Sequence, residues 1–223
     1  MLFRGPMGAG AASGKMGAMV ASHNKGGQYL RARVKPSGAV ASAQQQAVRN
    51  ALATLATCWS SVLNDDQRSA WEVYASNVKI VNRIGDTIQI SGENWYIACN
   101  TPRLQAQLPR VDDAPTTFDR GTVAFPALNA TMGGEGIVVT FGGTVTAPAN
   151  ILVYQGKPYS DGRGKYYGSF QLADICPISG GATSLTLAPV FPLPDTSSKC
   201  DFKLVVTQDD GRLATPLAVT FQG

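Results

Sequence analysis

Val48, Leu52, Leu55, Trp59 and Val62 recur at spacings of 4, 3, 4 and 3. That rhythm draws a single apolar stripe down a helix. Asn64-Asp65-Asp66-Gln67 breaks the stripe and restarts it. Asn64 is suited to cap a new helix, with the Gln67 side chain reaching back to it as in a capping box. Trp71, Tyr74, Ala75 and Val78 then form a second apolar face. Residues 44–78 are therefore expected to be two helices joined by a short turn and lying antiparallel, with Trp59 and Trp71 locking the bend. Everything upstream reads as an arm, and everything downstream as a second module.

The arm, residues 1–41, carries Gly8, Gly10, Gly14, Gly17, Gly26 and Gly27, too many glycines for a stable helix. From Gln28 to Val34, Tyr29, Arg31 and Arg33 alternate with Leu30, Ala32 and Val34. A period of two marks a strand or an extended segment laid on a partner. Such a stretch buries little of itself and takes its order from other chains or from the helices. Its charge is one-sided. Residues 1–64 hold Arg4, Lys15, Lys25, Arg31, Arg33, Lys35 and Arg49 and no acid. Residues 1–110 carry 12 basic and 5 acidic side chains, 12 − 5 = +7, against 7 − 10 = −3 for residues 111–223. A positive arm without internal neutralisation seeks an acidic surface or phosphate.

After the helical pair, Ile80, Ile84, Ile88 and Ile90 surround Gly85-Asp86 and read as two short strands about a turn or as an irregular excursion. Ser91 offers the cap of a third helix through Trp95 and Cys99, which Pro102 is expected to end or kink near Asn100. Val111–Thr117, with Pro115 inside it, reads as a linker. The remainder is β: Thr122–Phe125, Gly136–Phe141, Asn150–Tyr154, Tyr166–Leu172, Ser184–Leu187, Phe202–Thr207 and Leu217–Phe221. Seven short runs punctuated by turn residues predict an antiparallel sandwich. Asp209-Asp210-Gly211 is the strongest turn and should join the last two strands. No tryptophan follows Trp95, so a fibronectin type III-like sandwich fits better than a true immunoglobulin domain. The fold class is thus α+β: an extended arm (1–41), a small helical domain (42–110) and a β-sandwich (111–223).

Little in the chain speaks for catalysis. Gly10–Lys15 has three residues between its glycines, and Met16 follows Lys15, so it departs from a phosphate loop. His23 is the single histidine and lies among flexible residues. The adjacent acids Asp65-Asp66, Asp112-Asp113 and Asp209-Asp210 point in different directions, whereas catalytic carboxylates converge from separate elements. Cys58, Cys99, Cys176 and Cys200 form no C-x-x-C pair, and with one histidine they make a poor zinc site. Free thiols and synthesis in the cytoplasm follow, with the pairing of Cys176 and Cys200 left open. No secretory signal or membrane span is recognisable. No enzyme, cofactor or metal is expected.

Gly14-Lys15-Met16-Gly17 and the run Val20–Pro36 (VASHNKGGQYLRARVKP) resemble the start of a group of uncharacterised bacteriophage and prophage proteins. A Gln-rich helix (Gln44–Arg49) follows, then segments like Asp66–Trp71, Asn82–Asp86 and Ser91–Asn94. The likeness spans roughly residues 14–100 and implies a virion structural component. Together with the acid-free arm it leads to an expected role as a head cement, decoration or minor capsid protein, assembled in the host cytoplasm. Lys25, Tyr29, Arg31, Arg33 and Lys35 are the expected contacts. The expected partners are the major capsid protein or other virion subunits, with homo-oligomers in a symmetric particle and no membrane. The alternatives are a nucleic-acid-binding virion protein, with the arm gripping phosphates, and a tail or baseplate adhesin whose sandwich binds a sugar.

Overall fold

A computed structural model describes residues 13–24, 27–34, 38, 40–82, 85–120, 128–133, 136–141, 149–164, 166–178, 184–191 and 197–222. The chain packs as two compact units, Met1–Trp95 and Tyr96–Gly223. It is an α+β protein with antiparallel sheets.

The first unit opens with three strands, β1 (Gly14–Met16), β2 (Met19–Asn24) and β3 (Gly27–Ala32), paired in that order. The sequence reading expects an extended arm with a strand only near residues 28–34. The other two strands arise because Gly17, at φ 58°, begins a two-residue turn with Ala18. Positive φ at that first turn position is what glycine supplies in a tight hairpin. The sheet remains thin: Ala21 alone among its described residues is buried.

Two helices follow, α1 (Ala43–Ser61) and α2 (Asp65–Asn77). The expected box at the start of α2 is present: Gln67 N–H donates to Asn64 Oδ1 at 2.8 Å, and Asn64 N–H to Gln67 Oε1 at 3.2 Å. Ser42 and Gln45 make the same arrangement on α1. The expected stripe on α1 is covered only at its centre, since Leu55 and Cys58 are buried while Leu52 is 42 % exposed. The bend is fastened by Arg68, a residue the sequence pattern does not single out. Its guanidinium donates to Trp59 C=O at 3.1 Å and bridges to Asp65 at 2.6 Å. Trp71, Tyr74, Ala75 and Val78 are buried, as their spacing predicts. The rings of Trp71 and Tyr74, and of Tyr74 and Trp95, meet edge to face at 5.7 and 5.5 Å. Strands β4 (Ile80–Val81) and β5 (Thr87–Ile88) form the expected small hairpin, with Gly85 at φ 88°; Ile84 lies outside the described residues.

Helix α3 (Gly92–Gln105) does not end near Asn100 but runs through Pro102. Proline withholds its own N–H and crowds the carbonyl four residues before it, but its C=O still accepts from Ala106 at 2.9 Å and continues the helix. The helix ends three residues later. Gln107 takes φ 56°, Leu108 N–H donates to Arg103 C=O, and Gln107 N–H donates to Leu104 C=O. This is a Schellman closure with glutamine where glycine is usual. Gln107→Gly should therefore raise stability by about 1 kcal/mol, read as a higher midpoint in chemical denaturation.

Within the second unit the expected linker is bonded to α3. Asn100, fully buried, donates to Val111 C=O at 2.9 Å and accepts from Val111 N–H at 2.8 Å. Arg103 donates to Pro109 C=O at 2.9 Å and to Gln208 C=O at 2.7 Å. These bonds tie residues 109–111 to the part of α3 that belongs to the same unit, Tyr96–Gly223.

The strands are β6 (Leu128–Gly133), β7 (Gly136–Phe141), β8 (Ala149–Gln155), β9 (Tyr159–Ser160), β10 (Gln171–Ile178), β11 (Ser184–Leu187), β12 (Ser198–Gln208) and β13 (Leu217–Gln222). They form one sheet in the order β10-β8-β12-β13, with β9 beside β12, and another in the order β11-β7-β6. Thr122–Phe125 lies outside the described residues. The run expected at Tyr166–Leu172 begins instead at Gln171, because Tyr166 is committed to a loop. Ile151, Val153, Phe202, Leu204, Val206, Val219 and Phe221 alternate inward and form the core with Cys176 and Cys200. Asp209-Asp210-Gly211 makes the expected turn, with Gly211 at φ 87° and Gln208 N–H donating to Arg212 C=O. All four cysteines are free and buried. Burial pushes the Cys99 and Cys176 thiols up to about 12, so both stay protonated at neutral pH.

Candidate interaction surface

The alternation read from the sequence has a definite consequence in the folded sheet. Side chains two apart on a strand share a face, so Tyr29 and Arg31 of β3 lie on one side, continued by Arg33 just past its end. Arg33 N–H donates to Ala18 C=O at 2.8 Å, which carries the pairing beyond β3. Strand register brings a further cation to that side. Lys15 pairs with Val20, and Val20 with Arg31. Residues directly opposite in an antiparallel pair point the same way, so Lys15, Val20 and Arg31 form one row across three strands. At about 4.8 Å per strand, Lys15 and Arg31 stand about 10 Å apart across the sheet, and Arg31 and Arg33 about 7 Å apart along it.

Lys15, Arg31 and Arg33 are exposed, whereas Tyr29 is half-buried. The opposite side carries Ala21, which is buried, and Leu30, half-buried. The sheet is thus amphipathic, with its cations turned to solvent. Lys25 and Lys35, also named from sequence, lie outside the described residues. Lys15 and Arg31 are sixteen residues apart in sequence, so no local pattern joins them. The Gly17-Ala18 turn that pairs β1 with β2, and the pairing of β2 with β3, bring them into one row. His23 sits exposed on β2.

Chemically, this face offers three cationic side chains, at backbone positions set by the sheet, that can each donate hydrogen bonds to oxyanions. It suits a surface carrying carboxylates or phosphates at matching intervals. Among the described residues no group of three or more His, Cys, Asp and Glu is arranged to hold a metal ion. No helix among them is long and apolar enough to cross a membrane. Comparison of the chain with protein-family models, with curated proteins and with solved structures finds no match.

Proposed function

We propose that this chain is a structural component of a bacteriophage particle, a cement, decoration or minor capsid protein, that holds neighbouring subunits through the basic face of its N-terminal sheet. The observation that carries the reading is the row Lys15–Val20–Arg31, extended by Arg33, in a stretch of 64 residues that contains no acid. A surface so charged and so thinly cored gains most of its stabilisation from what it lies against. The resemblance of residues 14–100 to phage proteins supports the same reading. So does the net −3 of residues 111–223, since copies of one chain would present both signs.

The second unit fits a fibronectin III-like sandwich. The order β6-β7-β11 reproduces the first, second and fifth strands of an immunoglobulin-type sheet, and β8-β12-β13 the third, sixth and seventh. The remaining long strand, β10, pairs with β8 and not with β11, unlike the fourth strand of the constant-type domain. Such modules serve as spacers and recognition platforms, and need no active site.

Protein is favoured over nucleic acid because Tyr29, the one aromatic side chain among these cations, is half-buried and offers a base little open ring to stack on. Reversing Arg31 and Arg33 to Glu should abolish co-sedimentation of the full chain with particles of the encoding phage. The fold should be unaffected, because both side chains are exposed. Retention of the reversed variant on particles would refute the reading. Retardation of DNA or RNA by the wild-type chain, weakening steeply as salt rises, would replace it with the nucleic-acid reading.

A further inference from the structure

We draw no further inference here: the strongest candidate, the apolar stripe of helix α1 and its C-cap, on which Leu52 and Val62 stand 42 % and 56 % exposed, carries none because nothing in the structure shows what covers it.

Discussion

Asn100→Ala is expected to destabilise the second unit by about 3 kcal/mol. The side chain is fully buried and makes three hydrogen bonds: to Tyr96 C=O at 3.1 Å, and to both backbone groups of Val111. Alanine leaves the Val111 N–H and C=O without these partners, and a desolvated backbone group costs about 1–3 kcal/mol when its partner is removed. The loss reaches further than one residue. Tyr96 donates to Asp112 at 3.2 Å and Arg103 to Pro109, so residues 109–112 are held to α3 at three points, of which Asn100 is the central one. Thr101→Ala is the contrast. Its hydroxyl donates back to Ile97 C=O within the helix, and its removal should cost under about 1 kcal/mol. Urea denaturation followed by circular dichroism compares the two. Equal midpoints would show that Asn100 is not the fastening.

Gly92→Ala is expected to destabilise the first unit by about 2 kcal/mol, within the range for overpacking a tight site. A Cβ on Gly92 would fall 2.7 Å from Glu72 N and 2.8 Å from Trp71 C. Both are backbone atoms of α2, so no side chain can swing aside. Helix propensity alone predicts the opposite sign, since alanine is favoured over glycine by about 1 kcal/mol inside a helix. The sign of the change therefore decides whether α2 and the start of α3 approach as closely as described. Trp59, Trp71 and Trp95 are the only tryptophans, and all belong to this unit, so their fluorescence reports its unfolding selectively. A stabilised variant would contradict the close approach.

Features coded by neighbouring side chains were legible in the sequence. The box at Asn64 and Gln67, the buried face Trp71–Val78 and the turn at Gly211 each depend on residues within one or two helical turns or one hairpin. Features set by tertiary contact were not. Gln107 occupies a left-handed position without the glycine that would announce it. Its φ is held by the two hydrogen bonds that close α3. Strand β10 contains Asp174 and Pro177, which argue against a strand. It lies at the edge of its sheet, where a missing N–H is tolerated. Tyr166 carries the β-propensity of a strand residue, yet its ring serves as the core of a loop. On the basic face, the period of Tyr29, Arg31 and Arg33 could be read directly. The place of Lys15 beside them could not, because glycine-rich sequence looks the same whether it is slack or, as at Gly17, a turn that sets register.

Electron cryomicroscopy of a particle containing this chain tests the central claim most directly. The account predicts that Lys15, Arg31 and Arg33 lie within hydrogen-bonding distance of carboxylates on an adjacent subunit, with β1–β3 ordered across that boundary. A sheet standing clear in solvent, or one packed against the genome, would contradict it.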